Sequence, residues 1–139
     1  MTLPDLKNNN MIKKKKIGIW MDHSVANLMD YPASPILTRT IECNFTSKAK
    51  EEALTRGEST MHTKEKGEQA DYFRELADLI RKYDEVLLFG PTEAKTELYN
   101  TFKDNHQFSK IKVEIRPADK MTKNQQHAFV SSYFKVGVN

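Results

Sequence analysis

Four consecutive large apolar residues, Val86-Leu87-Leu88-Phe89, lie between two stretches whose apolar residues fall at helical spacing. Before the run, Phe73, Leu76, Ala77, Ile80 and Tyr83 share one helical face, with Arg74, Glu75, Asp78 and Arg81 mostly on the other. After it, Ala94, Leu98 and Phe102 mark a second stripe. A short unbroken apolar run framed by amphipathic helices is the pattern of a parallel strand covered on both faces. Gly90-Pro91 ends the run, and Thr92 is a good N-cap for the helix that follows. Ile111, Val113 and Ile115 form the next strand, and Thr122 caps a last helix whose apolar face is Phe129, Val130, Tyr133 and Phe134.

The period is two at the start of the chain. Ile17, Ile19 and Met21 alternate with Gly18 and Trp20, Asp22-His23-Ser24 makes a tight polar turn, and Val25 to Met29 resumes the apolar run, so residues 17–29 predict a hairpin. Pro32 and Pro35 break the chain, and Ile36 to Phe45 alternates again as a third strand. The predicted order is β-β-β-α-β-α-β-α. An antiparallel meander followed by strands that alternate with helices gives an α/β fold: an RNase H-like mixed five-stranded sheet, order 3-2-1-4-5, with helices on its faces.

A chain of 139 residues, 38% of them hydrophobic, suffices for one domain with an ordinary core. The net charge of +3 is unevenly placed. Lys7, Lys13, Lys14, Lys15 and Lys16 face one acid, Asp5, within the first sixteen residues, and the rest of the chain is close to neutral. Residues 1–14 therefore read as a disordered basic arm and 15–139 as a single domain. Residues 46–66 hold many charges and few large apolar groups, which predicts a long charged loop. No apolar run approaches the ~18 residues of a membrane span, and the N-terminus carries no apolar segment with a small-residue cleavage site. A cytoplasmic protein without membrane contact is the expectation. The single cysteine, Cys43, excludes an internal disulfide and a cysteine-based zinc site.

Few side-chain patterns suggest chemistry. An RNase H-like sheet raises a magnesium-dependent nuclease, which needs carboxylates converging at strand ends. Asp22 closes the first strand, Glu42 sits on the third and Glu75 on the first helix, but Phe89-Gly90 ends the fourth strand without a carboxylate. His23, His62, His106 and His127 show no i, i+3 or i, i+4 pairing, so no helical zinc site is expected. Ser24, Ser131 and Ser132 lack a nucleophile elbow. Gly90-Pro91-Thr92-Glu93-Ala94-Lys95 lacks the second glycine and the Lys-Ser/Thr ending of a phosphate loop, and Glu93 would repel an anion, so it reads as a close strand-to-helix turn. No cofactor and no metal are implied.

The most informative segment is His62-Thr63-Lys64-Glu65-Lys66-Gly67-Glu68-Gln69-Ala70-Asp71-Tyr72-Phe73-Arg74. It resembles the middle domain of archaeal and eukaryotic class-I peptide-release factors. There a basic, histidine-containing loop ends in Gly-Gly-Gln, and a helix then begins with a small residue and an aromatic-arginine pair. Val86 to Lys95 is similar to the strand-Gly-Pro-Gly-x-x-Lys segment of the same domain in release factors and in Pelota, their ribosome-rescue relative. The strand-turn-strand of Ile17 to Met29 fits the start of that domain. The likeness spans residues 15–134 and is nearest to the compact bacterial members of the superfamily.

The resemblance implies a translation factor-like protein whose partner is the ribosome, through rRNA or tRNA. Lys48, Lys50, Arg56, His62, Lys64 and Lys66 would contact RNA, with Gly67, Glu68 and Gln69 at the tip of the loop. In release factors the tripeptide enters the peptidyl-transferase centre and its glutamine, here Gln69, helps place the hydrolytic water. Glu68 stands where the family has its second glycine, adding a Cβ and a negative charge beside RNA. The expectation is thus a non-catalytic factor of ribosome rescue or silencing. A residual peptidyl-tRNA hydrolase using Gln69, a nuclease using Asp22 and Glu42, and a plain protein-interaction module are the alternatives. As local structure alone, Gly67-Glu68-Gln69 also suits an ordinary helix start.

Overall fold

The computed structural model describes residues 14–32, 38–43 and 58–137, with side chains from residue 67 in the first helix and up to 135 in the last. Its elements are β1 (Lys16–Met21), β2 (Val25–Tyr31), β3 (Arg39–Glu42), α1 (Glu58–Ile80), β4 (Glu85–Gly90), α2 (Ala94–Phe102), a short 3-10 turn (His106–Phe108), β5 (Lys112–Pro117) and α3 (Lys123–Gly137). Residues 1–13 of the arm expected over 1–14, the Pro35 turn and residues 46–57 of the loop expected over 46–66 lie outside the described residues.

The β1–β2 hairpin is set by Asp22. Its Oδ1 accepts the backbone N–H groups of Ser24 (2.7 Å) and Val25 (2.9 Å), and its own N–H donates to the Val25 carbonyl (3.0 Å). That turn fixes an antiparallel register of Met21 with Ala26, Ile19 with Leu28 and Ile17 with Asp30. β3 adds antiparallel to β2, while β4 and β5 run parallel to β1. The sheet order is β3-β2-β1-β4-β5, as the element pattern predicts.

Because side chains alternate across a strand, the sheet has two apolar faces. Ile17, Ile19, Met21, Ala26, Leu28, Val86 and Leu88 meet Tyr72, Phe73, Leu76 and Ile80 of α1 and Leu98 and Phe102 of α2. Trp20, Met29, Leu87 and Phe89 meet Val130 and Phe134 of α3 on the opposite face. At about 1.5–3 kcal/mol for each large side chain buried, these two layers supply the main stabilising term.

α3 is seated by polar contacts too. Thr122 and Gln125 form a reciprocal capping box, Gln125 N–H donating to Thr122 Oγ1 (3.2 Å) and Thr122 N–H to Gln125 Oε1 (2.8 Å). Asn27 Nδ2 donates to Gln126 Oε1 (3.0 Å), and the exposed Thr40 donates from Oγ1 to Asn27 Oδ1 (3.1 Å), tying β2, β3 and α3 around the buried Asn27 and Gln126. Thr38 and His127 share a hydrogen bond of 2.6 Å, and partial burial lowers the His127 pKa.

Three sequence boundaries shift. β3 is described as a strand over Arg39–Glu42 rather than 36–45. α2 begins at Ala94, where Thr92 Oγ1 accepts the Ala94 N–H (3.2 Å) from one residue before the N-cap position. The largest change is α1: it starts at Glu58, so residues 58–66 of the expected loop are helical.

Candidate functional site

The segments singled out in the sequence converge at one end of the sheet, where β1 and β4 finish at Met21 and Gly90. α1 descends past this end. Its Tyr72 side chain is almost fully buried and donates from its hydroxyl to the Asp22 carbonyl (2.9 Å). Burial, with the Asp22 carboxylate nearby, keeps that phenol protonated far above the usual range. One turn earlier, Gln69 Nε2 donates to the His23 carbonyl (3.2 Å). From the other side, Glu97 of α2 accepts from or pairs with His23 Nε2 at 2.9 Å. The β1–β2 turn is therefore held between two helices, and Gln69 is one of its braces.

This corrects the expected placement of the tripeptide. Gly67, Glu68 and Gln69 are not at a loop tip; they lie inside a 23-residue helix. Gly67 has ordinary helical backbone rather than positive φ, and a Cβ built on it meets nothing within 4 Å. Gly67→Ala is accordingly expected to stabilise the protein by about 0.4–1 kcal/mol, since the helix gains propensity without a clash. Urea unfolding followed by circular dichroism checks it; a loss of stability would mean the glycine serves some other backbone conformation.

Gln69 marks the level of the β1–β2 turn, so the eleven residues 58–68 continue α1 beyond the sheet by about 16 Å at 1.5 Å per residue. His62, Lys64 and Lys66 are on that projecting part. Lys48, Lys50 and Arg56 precede it, outside the described residues. At the sheet end itself stand Asp22, Glu42, Glu68, Glu93 and Glu97, with Arg116, Lys120 and Lys123 beside them at the end of β5, while Lys95 is buried with its ammonium donating to the Thr92 carbonyl.

The carboxylates considered for a nuclease are engaged or apart. Asp22 holds the turn through Oδ1, Glu42 stands exposed opposite Val25 at the other side of the hairpin, and Glu75 is exposed on α1. Among the described residues no three His, Cys, Asp or Glu side chains group as metal ligands would. A groove of about 560 Å³ runs between α1 and α2, floored by Phe73, Ala77, Phe102 and Phe108 with Arg74 and Arg81 on its rim and Gln69 at one end. No local pattern signals Tyr72 as a buried anchor, the His23–Glu97 contact, or the Gln69 brace; each joins residues far apart in the chain.

The mixed sheet, its 3-2-1-4-5 order and three helices define an α/β domain of the RNase H-like kind. Solved structures of Pelota share it. Pelota from Thermoplasma acidophilum aligns over 91% of this chain and 36% of its own, with a TM-score of 0.53 and 14% identity. Pelota from Archaeoglobus fulgidus aligns over 94% and 37%, with a TM-score of 0.56 and 8% identity. An archaeal translation termination factor aligns over 98% and 44%, at a TM-score of 0.41 and 14% identity. This chain thus spans little more than a third of either Pelota. No protein-family model and no curated protein sequence matches it. Among the described residues no helix is long and apolar enough to cross a membrane.

Proposed function

We propose that this protein is a ribosome-associated, RNA-binding factor of translation that acts without catalysis, in rescue or in silencing of ribosomes. The reading rests on the fold shared with Pelota over nearly the whole chain, together with the order of the release-factor-like segments. The projecting half of α1 and the segment before it, through Lys48, Lys50, Arg56, His62, Lys64 and Lys66, are the groups offered to RNA phosphates. Lysine and arginine contacts of this sort give affinity that falls steeply with salt.

The non-catalytic half of the reading is carried by Gln69. A glutamine that places a hydrolytic water must present its amide to the substrate, whereas here Nε2 is bonded to the His23 carbonyl. The helical Gly67 and the bulk and charge of Glu68 likewise fit poorly against a tRNA end.

Co-sedimentation with ribosomes is the test. The protein is expected to pellet with ribosomes at low salt and to be released at high salt. Gln69→Ala is expected to pellet equally, and neither form to release peptide from ribosomes loaded with peptidyl-tRNA. Peptide release that depends on Gln69 would overturn the non-catalytic reading. Absence from ribosomal fractions at every salt concentration would overturn the whole.

A further inference from the structure

The end of the domain opposite the tripeptide is basic. β1, β4 and β5 start side by side there, with Lys16 opposite Glu85 and Glu85 opposite Lys112. Strands lie about 4.8 Å apart, so the Lys16 and Lys112 backbones are about 10 Å apart across β4. Lys14 and Lys15 lead into β1, Lys82 lies on the link from α1 to β4, and Lys110 leads into β5. Lys103 caps α2 at the same end. α3 also finishes there, since Lys16 Nζ lies 5.8 Å from the Phe134 ring and Tyr31 stacks on Phe134 at 5.4 Å, and this brings in Lys135.

The acids at this end are fewer and mostly engaged. Asp30 accepts from Tyr83 and Arg39, Asp84 Oδ2 accepts the Lys15 backbone N–H (2.8 Å), and Glu85 lies 3.9 Å from Lys14. Asp104 and, in the last turn of α1, Asp78 are exposed. Among the described residues, none of Lys16, Lys82, Lys103, Lys110 or Lys112 has a carboxylate within 4.0 Å. Lys82, Lys103, Lys110 and Lys112 are exposed.

We infer that this basic end is a docking surface for the phosphodiester backbone of a nucleic acid, read through charge and not through base edges. Lysines on several separate elements, fixed by three strand starts and two helix ends, present cations over a breadth that spans successive phosphates. Among the described residues, the exposed groups at this end are charged or polar, with no large apolar side chain standing free to enter a bilayer, so a nucleic acid suits it better than a membrane. The inference does not depend on ribosome association, because it concerns a different end of the molecule and is measured on RNA alone.

The test uses the full chain and a fluorescently labelled oligouridylate in a potassium chloride series. The combined variant Lys82→Gln, Lys110→Gln, Lys112→Gln is expected to bind about tenfold more weakly and to flatten the plot of log K against log salt by about 2, as the loss of three phosphate contacts to a single strand requires. Lys82→Arg, Lys110→Arg, Lys112→Arg is expected to keep its affinity. Lys120→Gln with Lys123→Gln, beyond the far end of β5, is expected to change it less than about twofold. Unchanged binding in the glutamine triple, or an equal loss in the distant pair, overturns the inference. So does binding to anionic phosphatidylserine vesicles that the triple abolishes while its RNA affinity stands.

Discussion

Replacing Gly90 with alanine is expected to destabilise the domain by about 3 kcal/mol or more. Gly90 ends β4 with φ +152°, a conformation that side-chain-bearing residues rarely adopt. A Cβ there would lie 2.2 Å from the Met21 carbonyl oxygen, which is backbone and cannot rotate away. Relief would need β1 and β4 to part at their ends, where Gly90 also accepts the Ala118 N–H (3.1 Å). Equilibrium unfolding in urea measures the loss, and for a domain this size the melting temperature should fall by about 10 °C. A loss under about 1 kcal/mol would show that the close approach of the two strands is not required. The turn positions α2, and with it Glu97 against His23, so the same variant should loosen the β1–β2 turn that Gln69 braces.

The architecture was legible because its strongest signals are local. A four-residue apolar run between two helical stripes admits few explanations, and an Asp-His-Ser turn between alternating runs closes a hairpin. Once β1 and β2 are a hairpin and β4 and β5 flank helices, the sheet order has little freedom left. Gly90-Pro91 likewise announced a close strand-to-helix turn, although what the glycine avoids, the Met21 carbonyl, is remote in sequence. Tyr72 was missed as a core residue because its ring packs at the rim of the sheet while its hydroxyl needs an acceptor, the Asp22 carbonyl, that periodicity does not register.

The start of α1 was illegible for a related reason. Hydrophobic periodicity reports which face of a helix is buried, and residues 58–66 hold no apolar stripe. They continue a helix whose C-terminal half, through Phe73, Leu76 and Ile80, is anchored on the sheet. Gly67 strengthened the impression of a boundary, since glycine is costly in a helix interior. The consequence for the site is direct: the tripeptide that suggested a flexible catalytic tip is part of a rod, and its glutamine faces the protein's own backbone.

Gly18→Ala is expected to cost about 2–3 kcal/mol by displacing α3 from the sheet. Gly18 lies in the middle of β1, paired with Met29 on one side and Leu87 on the other, on the face that α3 covers. Its missing side chain is the seat of Val130: a Cβ would come within 2.2 Å of Val130 Cγ2 and 2.8 Å of Cγ1. Unlike the Gly90 clash, this one is with a side chain, so it has a specific remedy. Val130→Ala alone leaves a void in a buried layer and should itself cost about 2 kcal/mol. Combined with Gly18→Ala, the new methyl enters the void, and the double variant should be more stable than the two separate losses added together by about 1–2 kcal/mol. Trp20 lies on the same face two residues along β1, so its fluorescence reports the packing of α3 during unfolding. Strict additivity in this cycle would mean that α3 moves as a rigid body away from the strand. The buried Asn27–Gln126 hydrogen bond should then be lost in both single and double variants, because it joins the same helix to β2.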